Sequence, residues 1–448
     1  MNMPWTLARQ TAREAAKPLD EIALPLPDAL GLALASGLRA LTDQPACPTS
    51  AMDGYAVAGP GPWTVVGKVA AGDPVPGLRL RAGEAFGVAT GAPVPEGSDA
   101  VVPVERCSLA GTLLVADSVP GKHLRRQGED WSAGDELVPA GSPATPAVLG
   151  LAAGAGHDTL LVHRRPSVAV IVTGDELLRS GRPRPGRVRD AIGPMLPGLL
   201  RGADLVGTTY LRDDPEALAW ALVGVPDQLD TPHPLATAQP GAAFPLATVQ
   251  PGTPRSPATV QPGTPRSPAT TQPSAPFPLA TAQPGTPRSP ATAQPDVLVT
   301  CGATSVGPAD HLRRVLRDLG AEVLVSGVAC RPGHPMLLAV LPDGRCVVGL
   351  PGNPFAAHAA VLTLLQPLLD ALGGHTARPP VTAWLGDVNA HPRDTRLVPV
   401  TRSGGLAVPV GHDRPGSLWG AALADALAVV PPRHRGGEVE VLTSGSAS

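Results

Sequence analysis

Five apolar residues in a row, Val168-Ala169-Val170-Ile171-Val172, run straight into Thr173-Gly174-Asp175-Glu176. An unbroken apolar run of this length, closed by a glycine, predicts a strand buried on both faces, as parallel sheets require. The theme returns at 296–300, ahead of a glycine-rich loop and a helix predicted over 309–319, and at 346–350, ahead of a helix predicted over 354–369. Strands that alternate with helices predict a doubly wound α/β domain. The first third is patterned differently. Residues 45–140 are rich in Gly, Pro and Val, with short alternating runs at 63–69 and 113–115, the marks of a β-rich domain. Apolar periodicity predicts a short amphipathic helix over 6–19 and a second over 28–40, leading into a turn at Ser50. From 376 to 448 short strands return and fit a small β-barrel-like domain. The expected division has four parts: 1–44 with 137–165 as an N-terminal helical and linking domain, 45–136 as a β-rich domain, 166–371 as the α/β domain and 372–448 as a C-terminal β domain.

One segment breaks these patterns. Ala-Thr-x-Gln-Pro begins at Ala236, Ala247, Ala258, Ala269, Ala280 and Ala291, a strict 11-residue period inside the α/β domain. Such a period can mark a right-handed coiled coil, but the 17 prolines between 231 and 295 forbid helix. The units also lack the apolar faces of a solenoid. The composition predicts a disordered, polyproline-leaning insertion over 231–295, tolerated because closing a long surface loop costs little.

Composition narrows the class. A chain of 448 residues exceeds one core and implies several domains. Its five cysteines are scattered, odd in number and without Cys-x-x-Cys spacing, which argues against a disulfide framework and a zinc site. A formal charge of −3 gives no electrostatic footprint for nucleic acid. The first 19 residues lack the apolar segment of a leader, and no continuous run of about 18 apolar residues occurs. The expectation is a cytoplasmic protein with neither nucleic-acid nor membrane partner.

Chemistry concentrates in a few motifs. Pro48-Thr49-Ser50-Ala51-Met52-Asp53-Gly54-Tyr55-Ala56 gathers Ser, Asp and Gly around one Met and one of only two tyrosines. Gly54 is read as freeing the backbone to turn, Asp53 as a carboxylate beside the turn, Tyr55 as its anchor. Later come Gly302-Ala303-Thr304-Ser305-Val306-Gly307 and Leu350-Pro351-Gly352-Asn353-Pro354. With 173–176 these loops fall at three successive strand ends, where open α/β sheets hold their ligands. Small residues let backbone N–H groups approach an anion, and the helix that comes after adds its positive end.

In this order the 48–56, 302–307 and 350–354 motifs resemble the molybdopterin molybdenumtransferase family, to which the gephyrin-type scaffolds are related. The resemblance covers nearly all of the chain outside 231–295. It takes in Val88-Ala89-Thr90-Gly91-Ala92, Gly128-Glu129-Asp130, Gly174-Asp175-Glu176-Leu177, Arg212-Asp213-Asp214-Pro215 and Ser305-Val306-Gly307 followed by Asp310. It implies a transferase that inserts molybdenum from molybdate into adenylylated molybdopterin and releases AMP. Asp53, Thr90, Glu176, Asp213 and Asp310 then fall on catalytic positions. Gly174, Gly302, Ser305, Gly307, Arg331, His334, Pro351, Gly352 and Asn353 fall on positions that bind the cofactor precursor or the oxyanion. Asp190, Asp213 and Asp310 would flank Mg²⁺, which suits one or two carboxylates plus phosphate oxygens. The resemblance also implies a homodimer with a composite site, the 50–56 turn and Thr90 loop of one subunit facing the α/β domain of the other.

The chain departs from the family at several of these places. Arg331-Pro332-Gly333-His334-Pro335 stands where the family usually shows Lys-Pro-Gly-Lys-Pro, and Gly327 where many members carry a further lysine. Asp190-Ala191-Ile192 replaces Asp-Ser-Asn, and Gly302-Ala303 replaces paired glycines. The departures gather at the substrate site, not in the scaffold. Two other readings stay open: a catalytically weakened molybdopterin-binding or scaffolding relative, and a molybdopterin adenylyltransferase, against which the 50–56 turn and the β-rich flanks speak. Among the cysteines only Cys301, at a strand end beside the glycine loop, has a claim to function.

Overall fold

The computed structural model describes residues 2–74, 76–224, 294–302 and 311–443. Residues 231–293 of the predicted insertion and the loop with Ser305, Gly307 and Asp310 lie outside the described residues. Residues Met1–Val223 and Pro295–Ser448 form one compact unit.

Helix α1 (Trp5–Glu14) buries Trp5, Ala8 and Ala12 and ends before Pro18, which cannot carry a helix further. Its buried face joins the core of the α/β sheet, so α1 belongs with that domain by packing. The helix expected over 28–40 does not form. A single 3₁₀ turn at Leu26–Ala29 gives way to Gly31 at φ +80°, and Leu38–Arg39 pairs as a strand with Glu136–Val138. Gly37 packs closely too: a Cβ there would lie 2.5 Å from Glu136 Oε1 and 3.3 Å from Val138 O, so the Glu136 side chain would have to shift. Glu21–Pro25 pairs with Thr159–His163, and a helix over Pro146–Gly154 lies between them in sequence, so the linking segment mixes helix and strand.

The β-rich domain is a six-stranded sheet built from β1 (Gly54–Val57), β2 (Trp63–Val69), β3 (Glu84–Val88), β4 (Ala100–Pro103), β5 (Cys107–Ala110) and β6 (Leu113–Ala116). Their order across the sheet is β4-β1-β3-β2-β6-β5. Gly54 opens β1 and does not turn the chain. Its lack of a side chain matters because a Cβ would meet the Val102 carbonyl oxygen at 2.0 Å.

The α/β domain begins with β7 (Ser167–Thr173), a short parallel pair of β8 (Leu177–Leu178) and β9 (Val188–Arg189), then α2 (Ile192–Leu199), β10 (Asp204–Leu211) and α3 (Pro215–Val223). It resumes with β11 (Val297–Cys301), α4 (His311–Asp318), β12 (Glu322–Ser326), β13 (Cys330–Arg331), β14 (Leu337–Val340) and β15 (Cys346–Leu350). The sheet order is β10-β7-β11-β15-β14-β12, with β10, β7, β11 and β15 parallel and the last two strands antiparallel. The second strand in sequence lies on one side of the first and the third on the other, so the topological switch falls between β7 and β11. Alternate residues explain the layers. Val168, Val170 and Val172 face α1, α2 and the long helix α5, while Ile171 and Leu298 face α3 and α4.

Helix α5 (Pro354–Leu372) is continuous but carries a π turn at Val361–Leu365. It is the one helix among the described residues long and apolar enough to cross a membrane by length and composition, with mean hydropathy 1.5. His358, Thr363, Gln366 and Asp370 interrupt it, and 89% of it is buried inside the protein as a core helix. Trp5 Nε1 donates to Thr363 Oγ1 at 3.1 Å and so ties α1 to the π turn.

Past α5 the chain forms β16 (Thr382–Leu385), β17 (Thr395–Ser403), β18 (Leu406–Pro409), β19 (Ala426–Val430) and β20 (Gly437–Thr443). These pair in the order β17-β18-β16-β20-β19, and β19 pairs back onto β17, which closes a five-stranded barrel. The free edge of β17 also pairs in parallel with β13, Cys330 opposite Thr395 and Arg331 opposite Arg396.

Candidate functional site

Four loops meet at the carboxyl edge of the α/β sheet because their strands are neighbours. They come after β10 (212–214), β7 (174–176), β11 (from Gly302) and β15 (351–353). Gly302, at φ +93°, sits where a Cβ would approach Thr173 O and Oγ1 to 2.8 Å, so the glycine lets the chain leave β11 close against the end of β7. A Cβ on Gly352 would make only ordinary contact with Gly302 Cα, at 3.8 Å. Asp213 Oδ2 accepts the Asp175 N–H at 3.3 Å, which links the neighbouring loops after β10 and β7. Glu176 and Asp213 are both exposed at this edge.

Asp190, expected among the metal ligands, is instead engaged by the protein. Its Oδ1 accepts the N–H groups of Ile192 (2.9 Å) and Gly193 (3.0 Å) at the start of α2, and its Oδ2 accepts the Tyr210 hydroxyl at 2.9 Å. The residue is 6% exposed. A Cβ on Gly193 would lie 2.4 Å from Asp190 Oδ2, so the glycine makes room for this bond. Asp190 thus serves the first amides of α2 from the position just ahead of the Ala191 N-cap. Asp310 lies outside the described residues. Among the described residues no three His, Cys, Asp or Glu side chains group as a metal site. Of the two that are described, Asp213 is the one whose carboxylate is exposed and available to a divalent ion.

The positive end of α5 is not open either. Phe355 and Ala356 N–H both donate to Pro415 O, at 2.9 and 3.3 Å, so these first-turn amides are satisfied by the C-terminal region. Asn353 precedes them without capping the helix through its side chain. Cationic side chains take the place of helix amides. A cavity of about 480 Å³ is lined by Arg331 and His334, by Pro351 and Asn353, and from the barrel side by His391 and Arg396. Arg331 Nε donates to Asp394 Oδ2 at 2.8 Å, with the guanidinium side chain 59% exposed. Burial works against ionisation of Asp394, but the Arg331 hydrogen bond and the nearby His391, Arg331 and His334 hold its carboxyl below the usual range. His391 Nδ1 accepts the Asp394 N–H at 2.9 Å, so the ring meets the carboxylate as a cation only by giving up that bond. Arg396 Nε donates to Asp413 Oδ2 at 2.5 Å, and its Nη1 donates to Asn389 O.

His334 Nε2 lies 3.1 Å from Asn2 Nδ2. Gly327, at φ +101°, lies beside both, and a Cβ there would meet Asn2 Oδ1 at 3.2 Å. A lysine at 327 would be strained by the backbone conformation, whatever the space. Asn389, His391, Asp394, Arg396 and Asp413 were missed in the sequence. The dense polar run Asn389-Ala390-His391-Pro392-Arg393-Asp394 ahead of a strand was the available signal.

The β-rich domain holds the other two catalytic candidates. Thr90 donates its N–H (2.7 Å) and its hydroxyl (3.0 Å) to Asp53 Oδ1, which holds the Asp53 carboxyl below its usual range. Asp53 lines a second cavity of about 760 Å³ with Tyr55, Lys68 and Thr112, and the two cavities share no residue. Within one chain the structure thus brings Asp53 to Thr90, and Arg331 to His334, Pro351 and Asn353, without joining the two sets. Cys301 is buried and its thiol is pushed far up by burial, which removes it as a nucleophile. Cys330, behind the cavity, is pushed up to about 12 in the same way.

Comparison with known proteins places this architecture. A chain solved as the molybdopterin biosynthesis moea protein of Pyrococcus horikosii superposes with a TM-score of 0.70 and 25% identity over 100% of both chains. The β-rich flank, doubly wound domain and C-terminal barrel are those of the MoeA class. The family described as "MoeA N-terminal region (domain I and II)" matches residues 3–156, and "Probable molybdopterin binding domain" matches 288–371. The molybdopterin molybdenumtransferase of Synechococcus elongatus is 30% identical over 391 residues, covering 84% of this chain and 80% of that one. The Staphylococcus epidermidis enzyme of the same name is 26% identical over 433 residues, covering 92% and 87%. The chain belongs to the molybdopterin molybdenumtransferase family, transferases of molybdenum cofactor biosynthesis.

Proposed function

We propose that this protein transfers molybdenum from molybdate to adenylylated molybdopterin and releases AMP. The observation that carries this reading is the 480 Å³ cavity, where Arg331, His334 and Arg396 gather beside Pro351 and Asn353 at the sheet edge. A tetrahedral oxyanion suits forked guanidinium donors held by carboxylates on their far side. The glycines at 174, 302 and 352 bring backbone close to a phosphate-bearing ligand at the switch point. Mg²⁺, when bound, would neutralise charge on the phosphoanhydride, and Asp213 with Glu176 offers the carboxylates that would hold it. The protein's own part is positioning and fixed charge, which supply much of the rate in phosphoryl chemistry.

Asp53 and Thr90 enter this reading through a second subunit. They lie in a β-rich domain without ligand-shaped strand ends of its own, so a homodimer with composite sites gives them a substrate. Five free cysteines fit a cytoplasmic setting. Purified protein given adenylylated molybdopterin, Mg²⁺ and molybdate should release AMP only when molybdate is present. A second reading has one observation in its favour: Gly327 and His334 replace two lysines, and Gly327 cannot be reverted without strain. A binding or scaffolding relative would retain the pterin in the same assay and release no AMP.

A further inference from the structure

The loop that joins β8 to β9, closed by a tight hairpin between Arg184 and Arg187, is the most basic stretch of an acidic chain. Arg179, Arg182, Arg184, Arg187 and Arg189 fall within eleven residues, with no acidic residue among them. Among the described residues none of the five forms an ion pair with a carboxylate. Five guanidinium groups this close repel one another within a Debye length of about 8 Å, and no acidic residue inside the 179–189 run offsets them. Two further features make the hairpin more than a solvated face. It is rooted at the substrate edge: Val188 N–H donates to Glu176 O at 2.9 Å and Arg187 Nη1 donates to Asp175 O. It is also held in shape, because Arg184 and Arg187 exchange backbone hydrogen bonds of 3.2 and 2.8 Å across a tip that contains Pro183 and Pro185.

The arginines divide by role. Arg179 stacks over Tyr210 at 4.4 Å, Arg189 Nη1 donates to Leu178 O at 3.2 Å, and Arg187 holds the 174–176 loop. These three brace the hairpin. Arg182 and Arg184 are exposed at the tip and make no side-chain hydrogen bond among the described residues.

We propose that the tip arginines Arg182 and Arg184 bind the phosphate-bearing part of the anionic substrate and draw it to the loop edge that β7 and β11 present. The inference rests on the reading that an adenylylated pterin is handled there. Its own content is that this hairpin, and not the oxyanion cavity, sets affinity for the phosphoanhydride end. A rigid, uncompensated cationic loop loses little entropy on binding and gains charge-assisted bonds to phosphate.

The test uses the full-length Arg182→Gln/Arg184→Gln double variant, with Arg182→Lys/Arg184→Lys as its charge-preserving control. Inorganic pyrophosphate binding is measured by calorimetry at several salt concentrations, and AMP release is followed kinetically. Pyrophosphate affinity should fall about tenfold in the Gln variant, with a flatter salt dependence, and the Lys variant should recover most of it. KM for adenylylated molybdopterin should rise in parallel, while kcat and the molybdate requirement stay put. Unchanged pyrophosphate affinity and KM would overturn the proposal, and would leave the hairpin to an acidic protein surface instead. A drop in kcat at constant KM would also overturn it. If the unmodified protein released no AMP yet lost pyrophosphate affinity in the Gln variant, the functional reading would fall and the phosphate site would stand.

Discussion

Asp53 and Thr90, 37 residues apart, are joined twice at one oxygen: the Thr90 N–H and the Thr90 hydroxyl both donate to Asp53 Oδ1. Both donors favour the ionised carboxylate, and they account for its lowered pKa. Thr90→Val removes the hydroxyl and keeps the amide, so the Asp53 pKa should move up toward the ordinary range. If ionised Asp53 is the working form, the acid limb of the kcat/KM profile should move to higher pH. An acid limb that stays where it was would take this carboxylate out of the rate-determining chemistry.

Arg331 reaches the cavity already paired with Asp394, so an incoming oxyanion competes with a carboxylate. Asp394→Asn removes the competitor and should lower the half-saturating molybdate concentration by about threefold to tenfold. Arg331→Ala should nearly abolish molybdate-dependent AMP release, and His334→Lys should lower the molybdate requirement. Titrating molybdate across the three variants checks the set. Normal molybdate dependence in Arg331→Ala would move the oxyanion elsewhere.

Asp190 and Asp213 should separate cleanly. Asp190→Ala strips the start of α2 of its side-chain acceptor and should cost about 1–2 kcal/mol, or roughly 2–5 °C in Tm. Asp213→Asn should leave Tm within about 1 °C, yet weaken the dependence of AMP release on Mg²⁺. Calorimetry and a Mg²⁺ titration after EDTA treatment read the two effects. The reverse pattern would exchange the structural and metal roles.

His358 is buried in α5, with neither ring nitrogen hydrogen-bonded among the described residues. Burial, and secondarily the charge of Arg201, pushes its pKa down to about 4. The unfolded chain binds a proton near pH 6.5, and the folded chain refuses it until about pH 4. Stability conferred by the neutral ring is full above 6.5 and declines by up to roughly 3 kcal/mol as pH falls to 4. His358→Leu should flatten that slope, as read from denaturant midpoints at pH 7 and pH 4.5.

The central strands were legible because burial on both faces leaves no room for alternation, so 168–172, 296–300 and 346–350 are plain apolar runs. The barrel was legible from its short strands, though not its closure, which depends on β19 returning to β17. The helix expected over 28–40 failed on Gly31 and Gly37, whose roles are set by a left-handed turn and by Glu136, a partner about a hundred residues away. The second wall of the anion cavity was hidden for a related reason. Asp394 and Asp413 look like surface charge in sequence, and only the fold sets them against Arg331 and Arg396. The resemblance offered Asp190 as a metal ligand, and only the fold brings it the three donors that engage its carboxylate.

Strand β17 has two duties: it is a stave of the barrel, and along its outer edge it carries Cys330–Arg331. The barrel is therefore not an exchangeable module. A chimera that grafted a foreign C-terminal domain after α5 could fold perfectly and still lose oxyanion binding, unless the graft presented a strand in the register of Thr395 and Arg396. Relatives that recombine at this boundary would be held to that two-residue splice, which makes Thr395–Arg396 the place where modular evolution of the chain is most constrained.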